Sequence, residues 1–507
     1  MKKEHYPILL LSLLNVVIHL FLINRLECHR DELFYTVLGD HLSWGYATTQ
    51  PLIGFLSFLT IRIFGYSVLA IKLIPALMSG IMVWLIADIT TILGGKAYAR
   101  MLASVGFIIT PISLRTFMLY QPVFLDLFFW TLTFLLLLKY LSKNNPRYLI
   151  LLGITAGLGM MNKHLIALLL MLILVTISFT RYRKIYRRKE FYVGLLICLI
   201  IMLPNMIWQF LNHFPLISHM NTLRNQHLVH VNRVDFLTEQ LLMPFAGTLM
   251  TIPGLLNILF NKRMKAYRFI GMICLLVVLS LFLMRGKHYY TQAIYPLLIA
   301  AGAVVWENWL KKRWSRYALI TLLLLITIPV LPIAVPVFKA DRLAVYYAAM
   351  EEKTGITAGR RFEDGTIHSL PQDFADMIGW EELTQIVDNA FIMVPDESRC
   401  LIYGENYGQA SAVCVLGKRY GLPEAVSFHD SFLYWAPDTF ASEITSFIYI
   451  HDELGADVHE LFAEIRLIGK ISDINAREYG TAVYLCQKPV RSFNRFWKER
   501  VEEERGR

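Results

Sequence analysis

The chain has 507 residues, of which 56% are hydrophobic and 17% charged, and its formal net charge is +10. A soluble globular domain has about 45–50% apolar residues, so this composition excludes a protein that is soluble throughout. The positive charge is concentrated in "RYRKIYRRK" (181–189), "NKRMKAYR" (261–268) and "KKRWSR" (311–316). These short loops between apolar runs indicate membrane topology rather than a nucleic-acid-binding surface.

Apolar segments of membrane length recur from the N-terminus to about residue 336. A helix needs roughly 20 residues to cross the hydrocarbon layer. We predict eleven spans, at about residues 6–24, 67–93, 100–118, 122–141, 148–163, 164–180, 191–209, 241–260, 269–284, 289–307 and 317–336. The first has no small-residue cleavage site behind it and is predicted to be retained. The basic loops and the odd number of spans place the N-terminus in the cytoplasm and the C-terminus outside.

The composition changes after about residue 337. Short β-rich runs alternate there with helical patterns, and Gly and Pro separate them. We therefore predict a transmembrane domain over residues 1–336 and an extracytoplasmic α/β domain over residues 337–507. An oxidising compartment would allow two of the external cysteines to pair; these are Cys28, Cys400, Cys414 and Cys486. The cysteine spacing fits no metal-ligand signature.

Two adjacent acids, Asp31 and Glu32, follow the first span in "HRDELFYTVLGDHLSW". The apolar residues of this segment share one side of a helix, which predicts a helix lying in the membrane interface with Asp31 at its N-terminal end. Attraction between an acid and the helix dipole explains well why an acid is present at Glu32, but it explains the acid at Asp31 less well.

Further polar residues lie at the same predicted side of the membrane. They are Gln50, Asp126, Lys163, Arg224, Lys287, His288, Tyr289 and Tyr290. An ionisable group at the centre of a membrane helix costs roughly 2.5–3.5 kcal/mol, so such groups are usually paired or functional. Basic residues at helix ends also extend to the interface without a specific ligand, which is the alternative for each one alone. The convergence of acids, bases and tyrosines on one side favours a site.

Several blocks of the chain resemble a known family. They are "HRDELFYTVLGDHLSWGYATTQPLIGFLSFLTIRIFGYS", "GGKAYARMLASVGFIITPISL", "FLDLFFWTL", "GLGMMNKH" and "GKHYYTQAIYPLLIAAGAVVWE". In this order they resemble the bacterial protein-mannosyltransferase-like proteins of the glycosyltransferase C (GT-C) superfamily, which includes the lipid A aminoarabinose transferase. The resemblance implies an α-helical polytopic membrane fold of the GT-C type. It also implies transfer of a sugar from a polyprenyl-phosphate donor to an acceptor at the outer face of the cytoplasmic membrane.

The resemblance also assigns residues. The aspartate of the family's first outer loop falls on Asp31, and a second acid, at the outer end of the fourth helix, falls on Asp126. The aminoarabinose transferase has a Glu-Lys-Pro-Pro motif where this chain has Thr49-Gln50-Pro51-Leu52. Since the charged pair is missing, a metal or phosphate contact at that position does not carry over.

The residue types suit this chemistry. A carboxylate at the water boundary can deprotonate or orient an acceptor hydroxyl, and basic side chains can balance the charge on a departing phosphate. We therefore predict that Asp31 and Asp126 are catalytic. The predicted donor-phosphate ligands are Lys163, Lys287, Tyr289 and Tyr290, with Arg224 a weaker candidate. Glu32, Gln50 and His288 are secondary site residues. The sequence identifies no cofactor and leaves a divalent metal open.

Other classes of protein fit less well. The chain has no Gly-x-x-x-x-Gly-Lys-Ser/Thr loop, which argues against an ATPase. The main alternative is a polytopic secondary transporter or flippase of a lipid-linked or polar substrate, although transporters usually place their charges near the membrane midplane. A binding or scaffolding protein without catalysis is a third possibility. The expected partners are a polyprenyl-phosphate-linked sugar, a lipid, glycan or protein acceptor, and membrane lipids, but no nucleic acid.

Overall fold

The computed structural model describes residues 5–226, 232–355, 357, 359–362 and 365–506. The chain divides into two compact units. The first consists of Met1–Ile23, Thr49–Ile53 and Lys72–Val337, and the second of Asn24–Thr48, Gly54–Ile71 and Phe338–Arg507. The first unit ends at Val337, one residue beyond the predicted division after residue 336. Two N-terminal segments, Asn24–Thr48 and Gly54–Ile71, group with the C-terminal residues.

The first unit is almost entirely helical. Its α-helices are Tyr6–Leu22, Val68–Ile92 (which starts in the second unit), Ala97–Ile108, Pro111–Met118, Pro122–Lys143, Arg147–Met160, Ile166–Ser178, Lys189–Leu211, Pro215–Gln226, Arg233–Leu242, Thr248–Phe260, Arg268–Leu283, Tyr295–Trp309, Arg313–Thr327 and Leu331–Ala334. Short 3-10 helices connect several of them, at Arg181–Arg187, Phe245–Gly247, Lys262–Tyr267, His288–Ile294 and Ile328–Val330. A further apolar helix, Pro51–Phe64, starts in the first unit and ends in the second, and it was not among the predicted spans.

By length and composition, the described residues contain fewer membrane-length helices than the eleven predicted spans. Within the described residues, five helices are long and apolar enough to cross a membrane, or up to eight if each bent helix pair is one span. The bent pairs break by 63°, 110° and 81°. One break is at Pro111, which lacks the backbone N–H that a continuous helix needs. Other predicted spans are helices of 13 to 17 residues, such as Tyr6–Leu22.

Glycines set the close approach of helices in this unit. A Cβ atom at Gly153 would overlap the backbone carbonyl of Gly194, on helix Lys189–Leu211. Likewise, a Cβ at Gly254 would overlap the carbonyl of Leu298, and one at Gly302 the carbonyl of Met250. Because the hydrophobic effect does not drive helices together in lipid, such small residues allow the backbones to pack tightly.

The second unit is an α/β unit around a four-stranded sheet. The strands are β1 (Cys400–Gly404), β2 (Ser446–His451), β3 (Phe462–Lys470) and β4 (Ala482–Pro489), in the order β1-β2-β4-β3. β1 runs parallel to β2, whereas β4 is antiparallel to both β2 and β3. Its helices are Arg30–Val37, Ala340–Thr354, Gln372–Ala375, Trp380–Ile392, Tyr407–Leu416, Phe432–Trp435, Ala456–Leu461 and Phe493–Gly506, with 3-10 turns at Glu397–Arg399 and Gly417–Tyr420. The predicted α/β pattern of the C-terminal residues is thus present.

Aromatic residues form the core of this unit against one side of the sheet. Trp497 and Phe493 of the last helix are buried with Tyr403 and Phe447 of the strands, and Trp497 donates a hydrogen bond to the carbonyl of Pro437 at 2.8 Å. All six cysteines are free thiols, so the disulfide that an oxidising compartment would allow is not formed.

The predicted interfacial helix after Asp31 is shorter than expected, and it is buried. The helix runs over Arg30–Val37, and Leu33, Phe34 and Val37 are all buried in the second unit together with Glu32 and Thr36. The chain turns at Gly39, where a Cβ atom would lie only 2.7 Å from the backbone nitrogen of Phe58. Packing therefore ends the helix before the apolar stripe predicted from the sequence is complete.

Candidate functional site

Asp31 lies in the first turn of helix Arg30–Val37, whose start is fixed by a capping box. The side chain of His29 accepts a hydrogen bond from the backbone N–H of Asp31 at 3.1 Å, and Glu32 Oε2 accepts one from the backbone N–H of His29 at 2.8 Å. Such reciprocal bonds satisfy backbone donors that a helix start leaves unpaired. Glu32 is fully buried in this role. The neighbouring acids thus have different surroundings, since 28% of the Asp31 side chain is exposed.

Tyr407 connects the C-terminal residues of the second unit to Asp31. Its hydroxyl donates to Asp31 Oδ1 at 2.7 Å and accepts from Arg30 Nε and Nη2 at 2.8 and 2.6 Å. The Arg30 guanidinium also lies over the Tyr407 ring, 4.6 Å from its centroid. Tyr407 begins helix Tyr407–Leu416, which Asn406 caps by accepting from the backbone N–H groups of Gly408 and Gln409. The contact between Tyr407 and Asp31 was not predicted from the sequence.

A buried acid, Asp376, balances the positive charge around Asp31. Its carboxylate lies 3.8 Å from Arg30 Nη1, 3.7 Å from His29 Nε2 and 3.2 Å from Arg477 Nη1. Burial alone would raise the pKa of Asp31, but His29, Arg30 and the hydrogen bond from Tyr407 lower it below its ordinary value. Burial and the Asp31 charge raise the pKa of Tyr407 well above its ordinary value. Asp31 is therefore an ionised carboxylate, and Tyr407 is a neutral donor.

A second group of predicted residues lies in the first unit, around Asp126. This residue is buried near the N-terminal end of helix Pro122–Lys143. The buried side chain of Asn162 donates to the carbonyl of Pro122 at 2.9 Å, which fixes the turn that carries Lys163 to this helix end. Lys163 Nζ lies over the rings of Tyr290 and Tyr289, at 4.7 and 5.6 Å from their centroids. The structure thus brings together Asp126, Lys163 and both tyrosines.

The charges in this group leave a net positive site. Asp126 attracts Lys163, while Lys287 repels it. Within the described part of the chain, Asp126 Oδ1 is buried without a hydrogen-bond partner. One acid and two lysines give a formal charge of +1. Because two nearby cations repel each other when buried, a bound anion would stabilise the arrangement.

The remaining predicted residues are placed differently. Gln50 is buried, and its Nε2 lies 2.9 Å from His164 Nδ1, next to Lys163 in sequence. The rings of His288 and Tyr289 are arranged edge-to-face, with their centroids 6.1 Å apart. Arg224 is exposed on helix Pro215–Gln226 and has no hydrogen bond or ion pair to any described residue, so it is not placed with the group. The sequence prediction for Arg224 therefore has no structural support.

Three residues of the Asp31 site were not predicted from the sequence: Tyr407, Asp376 and Arg477. They follow Asp31 by more than 340 residues, and only the turn "ENYG" before a helix gave a local signal at Tyr407. Among the residues that the structure describes, no three His, Cys, Asp or Glu side chains are grouped as a metal site.

Comparisons with known proteins agree with this architecture. Residues 48–208 match the family model described as dolichyl-phosphate-mannose-protein mannosyltransferase. The structure of ArnT from Cupriavidus metallidurans bound to undecaprenyl phosphate is similar, with 12% identity, a TM-score of 0.58, and coverage of 94% of this chain and 97% of that chain. Its apo structure gives a TM-score of 0.60 with the same identity and coverage. No curated protein sequence matches the chain at a significant level.

A more distant structural similarity is to the arabinofuranosyltransferase AftD from Mycobacteria. The identity is 10% and the TM-score 0.50, and the match covers 97% of this chain but only 42% of that chain. The helical membrane fold is therefore of the GT-C type found in these membrane glycosyltransferases, which confirms the fold predicted from the sequence. The match of residues 48–208 to a glycosyltransferase family model agrees with the predicted class.

Proposed function

We propose that the protein transfers a sugar from a polyprenyl-phosphate donor to an acceptor hydroxyl at the outer face of the cytoplasmic membrane. The acceptor would be an envelope lipid, a glycan or a protein. The observation that carries the proposal is Lys163, held over Tyr289 and Tyr290 beside Asp126 in the helical unit. The solved ArnT structure bound to undecaprenyl phosphate supports the same donor class.

In this proposal the first unit binds the donor. Lys163 and Lys287 hold the phosphate, and Tyr289 or Tyr290 donates a hydrogen bond to it. Charge-assisted contacts of this kind contribute roughly 1.5–3 kcal/mol each, and they strengthen as negative charge develops on the departing phosphate. Asp126 holds Lys163 in place through its opposite charge. Gln50 and His288 are adjacent supporting residues rather than phosphate ligands.

The second unit supplies the carboxylate that acts on the acceptor. The acceptor oxygen forms a bond to the anomeric carbon of the sugar while the bond between that carbon and the phosphate oxygen breaks. The acceptor loses its proton, and the polyprenyl phosphate leaves with the bonding electrons. Asp31 orients the acceptor hydroxyl and receives its proton. Because the pKa of Asp31 is lowered, it is a weak base, and orientation is the larger part of its role.

The membrane orientation belongs to the same proposal. The basic loops place the N-terminus in the cytoplasm, and they place residues 337–507 on the outer side of a bacterial cytoplasmic membrane. Polyprenyl-linked sugars presented at that face would then reach the proposed phosphate ligands Lys163 and Lys287.

Undecaprenyl phosphate binding to the purified protein tests the donor site. Lys163→Ala is expected to weaken binding by about ten-fold to more than a hundred-fold, the equivalent of one lost charged contact. Lys139→Ala is the matched control, because Lys139 makes only a partly exposed ion pair with Asp88 at 2.9 Å. Equal binding by the Lys163 variant and the unmodified protein would remove the basis for this donor site.

The transfer itself is tested in cells. Mass spectrometry of envelope glycolipids and glycoproteins, with and without the gene, should reveal one glycosylated product that is lost on deletion. Restoring the gene should restore the product. A transporter or flippase would instead change the distribution of its substrate across the membrane without being required for the sugar–acceptor bond in a purified system.

A further inference from the structure

A half-open cavity of about 360 Å³ lies in the first unit, and none of the residues assigned to the donor or the acceptor lines it. It is lined by Ser178, Arg183, Lys184, Tyr186 and Arg187. It forms where the chain leaves helix Ile166–Ser178 and bends by 110° into the 3-10 helix Arg181–Arg187. In the sequence, these basic residues are a signal for membrane topology. The cavity is an additional feature that this explanation does not require.

The walls of the cavity are held by contacts within the protein. Thr180 caps the 3-10 helix by accepting from the backbone N–H of Tyr182 at 3.1 Å, and the buried side chain of Ile185 anchors its middle. The Tyr186 hydroxyl donates to the carbonyl of Leu174 at 2.6 Å. Tyr192 in turn donates to the carbonyl of Tyr186 at 2.9 Å. The turn therefore presents its charged side chains from a fixed backbone.

The three cations of the cavity are not neutralised by the protein. Among the described residues, the side chains of Arg183, Lys184 and Arg187 have no hydrogen bond or ion pair. Arg316 of another basic loop differs, because it donates to the carbonyl of Leu310 at 2.9 Å and lies over the Tyr98 ring at 4.7 Å. Three cations around one cavity repel each other, so an anion bound between them would lower the free energy.

The surroundings of the cavity favour an anion that is attached to a lipid. Helix Lys189–Leu211, which follows directly, has a mean hydropathy of 2.2 over its apolar window, and only 17% of that window is buried within the protein. Phe179, next to Ser178, is 87% exposed. Exposed apolar surface beside a basic cavity matches an acyl chain beside its phosphate headgroup, as in basic pockets between membrane helices.

We propose that this cavity binds the phosphate headgroup of an anionic membrane lipid, with Arg183, Lys184 and Arg187 as its ligands. Arginine contacts phosphate oxygens in a bidentate manner, and lysine adds a point charge. The bound lipid is a membrane component held at the helix bend and not the sugar donor. The inference is therefore independent of the proposed transfer reaction.

Lipid retention by the full-length protein tests this site. The purified protein is exposed to phosphatidylglycerol or phosphatidylcholine in mixed micelles, and bound lipid is counted by native mass spectrometry. The unmodified protein should retain phosphatidylglycerol and not phosphatidylcholine. The triple variant Arg183→Gln, Lys184→Gln, Arg187→Gln should weaken retention at least ten-fold, because it removes several charged contacts.

A second triple variant with the same change in charge is the control. Lys262→Gln, Arg263→Gln, Lys265→Gln alters exposed residues of the 3-10 helix Lys262–Tyr267 and should retain phosphatidylglycerol as the unmodified protein does. Equal loss in both triple variants would show nonspecific charge attraction and overturn the proposal. Displacement of the lipid by millimolar inorganic phosphate would instead identify a site for free phosphate, and this result too would overturn it. Matching unfolding temperatures in detergent confirm that the variants are folded.

Discussion

At the scale of single residues, Asp31 and Glu32 are adjacent in sequence but differ in role. Glu32 is fully buried and accepts the backbone N–H of His29, whereas part of Asp31 is exposed and accepts the Tyr407 hydroxyl. A residue that completes a capping box stabilises its helix by about 0.5–2 kcal/mol. An exposed, ionised carboxylate remains accessible to a substrate. The two acids can therefore be separated by experiment.

We predict that Asp31→Asn abolishes sugar transfer while the protein remains inserted and folded. The neutral amide preserves the side-chain shape, but it lacks the charged oxygen that orients the acceptor hydroxyl and cannot receive its proton. Glu32→Gln should reduce transfer only mildly, since the amide oxygen still accepts from His29. Transfer is measured by mass spectrometry of the product in cells that carry each variant. Near-normal transfer by Asp31→Asn would contradict the catalytic assignment.

Asp126→Asn is expected to be severe for a different reason. The change removes the negative charge of Asp126, so Lys163 loses the charge that attracts it. Undecaprenyl phosphate binding and transfer should both decrease. If binding were unchanged while transfer was lost, Asp126 would act on the reaction and not on the donor site.

The Tyr407→Phe variant is predicted to change the pH dependence of sugar transfer. The hydrogen bond from Tyr407 helps to lower the pKa of Asp31, so Tyr407→Phe should raise that pKa. Because Asp31 acts in its ionised form, the acid limb of the kcat/KM profile should move to higher pH. The loss of activity is then greatest at low pH and about ten-fold or less at neutral pH.

Tyr479→Phe is the control for this experiment, since Tyr479 is in the same unit and 57% exposed. It should leave the pH profile unchanged. A uniform decrease at every pH for Tyr407→Phe would indicate a purely structural role, in contradiction to the prediction.

At the scale of elements, close helix packing in the first unit depends on glycine. Gly254 on helix Thr248–Phe260 and Gly302 on helix Tyr295–Trp309 each lie against a backbone carbonyl of the other helix. Shorter helices pack in the same way. Helix Arg147–Met160, for example, approaches its neighbour through Gly153. In such pairs the two backbones are in direct van der Waals contact, which takes the place of contacts between larger side chains.

Gly302→Ala is predicted to destabilise this helix pair. The added Cβ overlaps the carbonyl of Met250, and overpacking of this kind costs typically about 1–3 kcal/mol. The unfolding temperature of the purified protein in detergent should therefore fall. Leu256→Ala, on the exposed side of helix Thr248–Phe260, should change it little. An unchanged unfolding temperature for Gly302→Ala would show that the helices separate at no cost.

At the scale of the whole molecule, the basic loops of the sequence predict how the chain is oriented in the membrane. Single cysteines at exposed positions test this orientation when they are introduced in a background without the native cysteines. Arg183→Cys, in the basic loop, should react with a membrane-impermeant maleimide only after the cells are opened. Ala463→Cys, on strand β3, should react in intact spheroplasts. Labelling of the first variant in intact spheroplasts would reverse the predicted topology.

The sequence by itself determined the membrane class, the GT-C resemblance and the approximate place of nearly every helix in the first unit. These features depend on local composition and on hydrophobic runs, which are read within about 20 residues. It also predicted Asp31, Asp126, Lys163 and the tyrosine pair as site residues, because polar groups are conspicuous beside apolar spans, and these assignments stay predictions. The change in composition after about residue 337 led to the predicted division between helices and α/β residues.

Only the tertiary structure decided which residues meet. Tyr407, Asp376 and Arg477 reach Asp31 from more than 340 positions away, and no local pattern records such a contact. Packing at Gly39 also ended the helix after Asp31 and buried a stripe that the sequence had assigned to the membrane interface. Arg224 is exposed and makes no hydrogen bond or ion pair to a described residue, a placement that its charge alone does not specify. Long-range packing sets these outcomes, since it depends on the shape of the whole unit and not on the period of any one segment.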